Sequence, residues 1–445
     1  MRETLLAPPA RGWIFPFALL AYGLIATRDW RVPDASGFPL VPLWGALVIL
    51  GIGGWVAVRR RLSAEAAMAI LCLSAMFLND VTTLVSQVLR DLHLYLKAGS
   101  HFLAGGPVYL QQVLAVRPDD LSNYPFLYPP LTLPVFGALS LVPSPLIDIC
   151  WFGASLALAL YAMRALGLSW RWAFALLLWP PFVQGLWVGN VAVPLLALFV
   201  LAPRFGAGLM LSPVFKLYSG VTTLWLPREG RWRDVALGGA IVIGLAIVTL
   251  PLVGLARWSE WIEGLRLFQA SQVLLPAFLY GQSLPRYIPW LVALGLGVLA
   301  IVIALRSRGL VGLERLGLAT IVVSPSLYAH GLLVGLPAFL RLRPGWMWLA
   351  LGLTGIAPAA PSWIGIGIVA AAWFVPQMRR AAKEPVGGPR PETWDLGLDP
   401  LDPLDGSSAA DAPRPIPGPQ AEPGPPEPSD VPPLPASAES QPAPR

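Results

Sequence analysis

The sequence predicts an all-α polytopic membrane protein, and three observations carry that prediction. Hydrophobic residues make up 56% of the chain and charged residues only 13%, against about 25% charged in a soluble domain. Mean hydropathy is +0.63. Apolar runs recur along nearly the whole length, so the chain has to solvate its helices in lipid rather than in water.

The runs, in order, are Trp13–Thr27, Leu40–Val58, Ala64–Leu84, Leu131–Val142, Leu146–Met163, Trp172–Trp187, Val191–Ala202, Phe205–Leu226, Val235–Leu255, Tyr287–Leu305, Leu316–Leu327, Gly331–Leu340, Trp346–Ala357 and Trp363–Val375. They predict about 12–14 transmembrane helices. Several fall short of the ~20 residues of a full crossing and are expected to be half-helices, tilted or re-entrant. The first run has no small-residue cleavage site, so a secretory signal peptide is not expected. Cys72 and Cys150 lie in or beside apolar runs and are expected to pack rather than to pair or bind metal.

Charge is unevenly spread. From Glu384 to Arg445 there are 11 acidic and 3 basic residues, among dense Pro, Ala, Ser and Gly. Such a composition cannot bury a core, and residues 381–445 are expected to form a disordered acidic tail. Basic residues cluster at Arg59-Arg60-Arg61, Arg228/Arg231/Arg233, Arg306/Arg308/Arg315, Arg341/Arg343 and Arg379/Arg380/Lys383. The fourteen runs put all five clusters on one face, which the positive-inside rule makes cytoplasmic, together with both termini. Arg164, Arg171 and Arg204 then fall on the disfavoured side. Residues 88–130 and 256–286 become long outer loops, of the kind that more often carry function than merely connect.

Within the first loop, Leu92, Leu96, Gly99 and Phe102/Leu103 share one helical face, with His93, Lys97 and Ser100/His101 on another. That periodicity predicts an amphipathic helix lying at the membrane surface. Asp91 stands at its start, where it would serve either as an N-cap or as a reactive carboxylate. Gly105-Gly106-Pro107 ends the helix, and Tyr128-Pro129-Pro130 opens the next run.

Asp91-Leu-His-Leu-Tyr95, Gly105-Gly106-Pro-Val-Tyr109 and Tyr124…Tyr128-Pro129-Pro130 resemble the D-(F/L)-x-x-Y … G-x-x-x-Y … Y-P-P order of glycosyltransferase family 87, polyprenyl-phosphate-dependent mannosyltransferases of the multispanning GT-C class. Gly189-Asn190, the small-residue segment Gly208 to Lys216, Gln282-Ser283 and Ser324-Pro325-Ser326-Leu-Tyr328-Ala-His330 continue the likeness. Asn190 stands for the usual Gln and Tyr328 for the usual Trp. The resemblance covers roughly 64–345 and implies two added helices in residues 1–63, a GT-C-like bundle in 64–380 and an extracytoplasmic interfacial helix.

The chemistry so implied is transfer of a hexose, mannose by resemblance, from a polyprenyl-phosphate donor to a lipid, glycan or protein acceptor by inverting displacement. The acceptor hydroxyl needs a base, and Asp91 is its candidate. Asp80, beside Asn79, is the rival: an ionisable group near a span's outer end is costly unless paired or functional. Lys97, Arg117, Lys216, Arg286 and His330 are candidate partners for the leaving phosphate. Lys216 would otherwise snorkel, and His330 would otherwise satisfy a carbonyl freed by Pro325. Tyr95, Tyr109, Tyr124 and Tyr128 would stack on sugar, or act as interfacial anchors. His93, Asn190, Gln282 and Ser283 complete the substrate-binding set, while Asp119-Asp120 reads as a solvated pair. His93 and His101 are ~12 Å apart along a helix, too far to share a metal with Asp91. No metal ligands or cofactor are assigned, and a divalent cation stays open. The chain shows no nucleic-acid signature, and the implied setting is a bacterial plasma membrane. A transporter or lipid flippase, and a non-catalytic assembly subunit, are the alternatives.

Overall fold

The structure is a computed structural model that describes residues 69, 72, 73, 76, 88–109, 125–271, 281, 283–355 and 360–379. The chain divides into two units, Met1–Leu404 and Asp405–Arg445, and all described residues belong to the first. The runs at Trp13–Thr27 and Leu40–Val58, most of Ala64–Leu84, and the tail 381–445 lie outside the described residues.

What is described is helical: α1 Arg90–Leu103, α2 Leu133–Ser140, α3 Ser144–Ala165, α4 Trp170–Leu176, α5 Pro180–Trp187, α6 Ala192–Leu201, α7 Gly206–Leu209, α8 Ser212–Phe215, α9 Gly220–Thr223, α10 Trp225–Arg228, α11 Trp232–Ser271, α12 Trp290–Leu305, α13 Gly309–Val323, α14 Leu336–Leu340, α15 Pro344–Gly355 and α16 Ala360–Ala371. Two isolated bridges, Gly281 with Leu327 and Leu342 with Arg379, are the only β pairing among the described residues. Proline sets many of the boundaries: Pro134, Pro145, Pro180, Pro213 and Pro337 each occupy one of the first two helical positions. There the missing N–H costs nothing, because the first turn has no acceptor for it.

Among the described residues, two helices are long and apolar enough to cross a membrane, Ser144–Ala165 and the Trp232–Phe268 part of α11. A third appears if α5 and α6, bent by 119°, count as one span. The remaining apolar helices are shorter. Within the described residues, hydropathy reads an apolar run without regard to where Pro and Gly interrupt its hydrogen bonds, which is why the runs there outnumber the long helices.

Two predicted elements change character. Phe205–Leu226 is not a span but a folded-back segment of short helices broken at extended Lys216 (φ −138°, ψ 104°). A Cβ on Gly206 would lie 2.7 Å from the Leu226 side chain, so the two ends of the segment meet. Arg231 donates to the carbonyls of Ala202 (2.8 Å) and Pro203 (2.9 Å). Arg204 therefore sits beside the Arg231 cluster instead of across from it. The second change concerns 256–286. Residues 256–271 continue α11 past a kink at Gly254 (φ 75°, ψ 155°), so a helix replaces much of the expected loop.

The basic clusters between Arg228 and Arg379, far apart in sequence, meet in space. Arg228 Nε donates to Leu305 O at 2.5 Å, and Glu229 accepts from the Gly309 N–H at 2.8 Å. Arg315 donates to Ser307 Oγ at 2.7 Å, Arg341 pairs with Glu314 at 2.7 Å, and Arg343 N–H bonds Met378 O at 2.9 Å. Four of the five clusters thus form one rim. The part of α11 from Trp232 to Gly254, with Pro251 inside it, spans about 33 Å by helical rise from that rim, matching the ~30 Å of a bilayer's hydrocarbon core. Glu314 is 3% exposed, so removing it strands the Arg341 charge. Glu314→Ala is expected to cost about 3 kcal/mol, measured as the shift in unfolding in detergent; unchanged stability would show that water already screens the pair.

The core lies between α4–α6 and α13–α16, around the fully buried Trp179, Trp348, Phe182, Phe199 and Phe339. A smaller aromatic cluster of Tyr95, Tyr109, Phe126 and Phe136 joins α1 to α2 and the 125–128 turn. By contrast α11 and α12 expose large apolar residues, among them Ile247, Val248, Leu252, Leu291 and Val298.

Candidate functional site

The site is assembled where three helix ends meet. α1 has the predicted amphipathic pattern, with Asp91, Leu92, Tyr95, Ala98 and Gly99 buried and His93, Lys97 and Ser100 exposed. It lies against α2 through Gly99, where a Cβ would fall 2.3 Å from Phe136 C. Its first turn is not capped by a side chain. Leu89 N–H donates to Trp187 O (2.7 Å) and Asp91 N–H to Val188 O (2.8 Å), so the C-terminal carbonyls of α5 satisfy the N-terminal donors of α1. Asp91 is consequently no N-cap. Leu89, the one non-glycine with positive φ among the described residues (52°), makes the junction. A left-handed Leu costs about 1 kcal/mol, and it is tolerated because these two hydrogen bonds fix the backbone.

The Asp91 carboxylate is 7% exposed and both its oxygens are engaged. Arg90 reaches Oδ1 through Nε (3.0 Å) and Nη2 (2.9 Å). Asn190 donates from Nδ2 to Oδ2 at 2.6 Å, and to Tyr95 Oη at 3.3 Å. Asn190 is itself fixed by the Ala192 N–H, which donates to its Oδ1 at 2.9 Å. The preceding Gly189 (φ 70°) has no room for a side chain: its Cβ would lie 3.0 Å from Leu92. Trp151 Nε1 donates to Gly189 O at 2.9 Å and closes the turn from α3.

Tyr95 Oη and Tyr128 Oη are 2.8 Å apart. The Asn190 amide also donates to the Tyr95 oxygen, either hydroxyl can donate in the Tyr95–Tyr128 bond, and Tyr128 is the half-buried one of the two. Tyr109 donates to Tyr128 O at 3.0 Å and so holds the Tyr-Pro-Pro turn. Burial pushes the hydroxyls of Tyr95, Tyr109 and Tyr128 above the usual tyrosine range, so all three stay protonated. The sugar-stacking assignment fails for Tyr95 and Tyr109. Each ring is 1% exposed, packed on Phe126, with Phe136 also against Tyr95. They position Asn190 and Tyr128 instead.

Beside this cluster lies a narrow cleft, partly open to solvent, whose polar lining is Lys216, His330, Ser212, Tyr218, Ser219, Thr222 and Thr320. The break at Lys216 lets the folded-back segment deliver an ammonium group into an apolar interior, with Nζ 5.9 Å from the Tyr218 ring. His330 is 4% exposed and stacks on Tyr328 at 5.9 Å. Its backbone N–H donates to Gln184 Oε1 at 3.2 Å, while Nδ1 is buried without a hydrogen-bond partner among the described residues. It is one of eight such buried atoms among the described residues, and one that belongs to a side chain lining this cavity. Arg90 and Lys216 both lie within electrostatic range of His330, and Asp91 and Tyr218 within that of Tyr128. The cavity and the Asp91 cluster therefore adjoin.

The fold thus brings together Asp91, Tyr95, Tyr128, Asn190, Lys216 and His330. It leaves out His93, which bonds Asp148 at 3.0 Å on the exposed face, and Lys97 on that same face. His101 meets Pro107 O at 3.3 Å, far from a shared metal site. Arg286 donates to Gly281 O at 2.8 Å, and Ser283 is buried with its hydroxyl unpartnered among the described residues. Asp80, Arg117, Tyr124 and Gln282 lie outside the described residues. Sequence reasoning missed Arg90, Trp151, Gln184 and the kinked end of α11. There Arg257 donates to Gly106 O (2.6 Å) and Trp261 to Leu127 O (3.0 Å), clamping the Asp91 loop. Only the adjacency of Arg90 to Asp91 was visible beforehand; the rest are contacts across 38 to 152 residues. No family model, no curated protein and no solved structure matches the chain.

Proposed function

We propose that the protein is an integral membrane hexosyltransferase with a GT-C-like bundle of about 12–14 crossings, which moves a sugar, mannose by resemblance, from a polyprenyl phosphate to a lipid, glycan or protein acceptor. It acts at the extracytoplasmic face of a bacterial plasma membrane, with both termini cytoplasmic. The observation that carries the reading is the meeting of a buried carboxylate with a cation-bearing cavity. Asp91 adjoins Lys216 and His330, whose Nδ1 has no hydrogen-bond partner among the described residues, three residues drawn from separate parts of the resembling sequence.

In this reading the acceptor hydroxyl attacks the anomeric carbon and its proton passes to the Asp91 carboxylate. The bond from that carbon to the phosphate oxygen breaks, and the electron pair leaves with the phosphate. Asp91 Oδ2 still has a free lone pair beside its bond from Asn190, whereas Oδ1 takes both Arg90 contacts, and Asn190 fixes the orientation of the carboxylate. Lys216 and His330 stabilise the departing charge, while Tyr128 donates to a sugar oxygen.

The test is transfer from labelled polyprenyl-phosphate mannose in proteoliposomes, with glycolipid and peptide acceptors supplied in parallel. Lys216→Met is expected to lower kcat/KM at least tenfold, a loss of about 1.4 kcal/mol of transition-state binding. Unchanged kinetics would remove Lys216 from the site, and chelation in the same assay decides whether a divalent cation takes part. A second reading, a transporter or lipid flippase, draws on the 119° elbow between α5 and α6 and on the break at Lys216, features found at transporter binding sites. It predicts donor flipping across the vesicle without transfer.

A further inference from the structure

A second cavity lies at the basic rim. It is a small pocket, partly open to solvent, lined by Arg315, Arg341, Arg379, Glu314 and Trp373 together with apolar side chains. Three guanidinium groups therefore face one carboxylate. Arg341 uses its Nε on Glu314 at 2.7 Å. Arg315 donates Nη1 to Ser307 Oγ at 2.7 Å, lies 5.2 Å over the Trp373 ring, and keeps its Nε buried without a partner among the described residues. The Arg379 side chain makes no hydrogen bond to another described residue, although its backbone is pinned by the bridge to Leu342 and by Arg343 Nε at 3.4 Å from its carbonyl. Arg315 and Arg379 both act on Glu314 electrostatically, and Arg379 on Arg315.

Like charges gathered in one space repel unless an anion joins them, and among the described residues the single carboxylate leaves two guanidinium charges unbalanced. A guanidinium presents a planar fork that matches two oxygens of a phosphate. Its place also matters: the rim stands about one bilayer thickness along α11 from the Arg257 clamp on the Asp91 loop, the depth at which lipid headgroups lie.

We propose that this cavity binds a phosphate group, supplied by an anionic phospholipid headgroup or by free inorganic phosphate, through Arg315 and Arg379 with Arg341 held in place by Glu314. The site is independent of sugar transfer. It would tie the ends of α13, the Arg341–Arg343 turn and α16 to the lipid surface.

The experiment uses the full chain in nanodiscs of phosphatidylcholine with or without phosphatidylglycerol, read by native mass spectrometry for retained lipid and by thermal unfolding. Wild type is expected to retain phosphatidylglycerol, and Arg379→Gln to weaken that retention about tenfold, equivalent to about 1.4 kcal/mol. Arg306→Gln, which removes an exposed charge of the same rim outside the cavity, is expected to change nothing. Should Arg379→Gln fold poorly, Arg379→Lys keeps the charge without the fork and is expected to show an intermediate loss. Millimolar inorganic phosphate in detergent forms the second arm. Stabilisation of wild type but not Arg379→Gln identifies free phosphate as sufficient, whereas stabilisation by the lipid alone identifies the headgroup. Equal phosphatidylglycerol retention by wild type, Arg379→Gln and Arg306→Gln, with no phosphate effect, overturns the proposal.

Discussion

Asp91→Asn is expected to lower sugar transfer by a factor of about 10² to 10⁴, the range attributed to a positioned general base, while leaving the fold in place. The substitution keeps the shape of the side chain. The amide oxygen of the variant can still accept from Asn190, which lies 2.6 Å from Oδ2 in the wild type, but an amide can neither take a proton nor neutralise Arg90. Losing that charge is expected to cost about 1.5–3 kcal/mol of stability, the worth of a hydrogen bond to a charged group. Turnover and unfolding must therefore be measured on the same preparation. If Asp91 is only a strut between α1 and the α5–α6 elbow, activity will fall no further than the loss of folded protein accounts for. Wild-type turnover by Asp91→Asn would end the base assignment.

A structural effect as large as that of Glu314→Ala is expected at Gly99. A Cβ there would sit 2.3 Å from Phe136 C, 2.4 Å from Phe136 O and 2.5 Å from Gly137 N. All three are backbone atoms, so no rotamer change relieves the clash and α1 must move off α2. Gly99→Leu is expected to destabilise by about 3 kcal/mol, at the upper end for overpacking, because a helix rather than a side chain has to shift. The movement also pulls Tyr95 from Tyr128 and Asp91 from Asn190, so transfer should be lost even at temperatures where the variant is folded. Gly239→Leu is the control: its Cβ meets nothing within 4 Å, and replacing a helical glycine that faces open space should be neutral or stabilising by up to about 1 kcal/mol. Similar losses in the two variants would mean that α1 and α2 are not packed as described.

The two experiments touch the same junction from opposite sides. Asp91 is reached through its charge, Gly99 through the space behind it. Helix α1 can carry a reactive group only if its backbone is fixed, and here the fixing comes from Trp187 and Val188 carbonyls, not from α1 itself. The Arg257 and Trp261 clamp adds a third restraint, from a helix that the sequence presented as a loop.

The sequence by itself determined the helical class, the apolar character, the two-sided pattern of α1 and the accumulation of arginine at certain span ends. Each of these is local: residue type repeated at a fixed period, or charge next to an apolar run, expresses itself through contacts with solvent or lipid at that point of the chain. It also singled out Asp91 at the head of a surface helix, Lys216 within an apolar run and His330 between two such runs, while Asn190 was named only through the family resemblance. What only the tertiary structure decided is which of them meet. Asn190 reaches Asp91 across 99 residues because Gly189 can adopt φ 70° against Leu92, and Lys216 enters a cavity because Phe205–Leu226 folds back rather than crossing. Tyr95 and Tyr109 read the same as Tyr128 in the sequence, yet burial makes two of them supports and leaves one able to reach a ligand. Those outcomes depend on packing between distant segments, where one backbone angle or one missing Cβ selects the neighbour, and no local pattern records that choice.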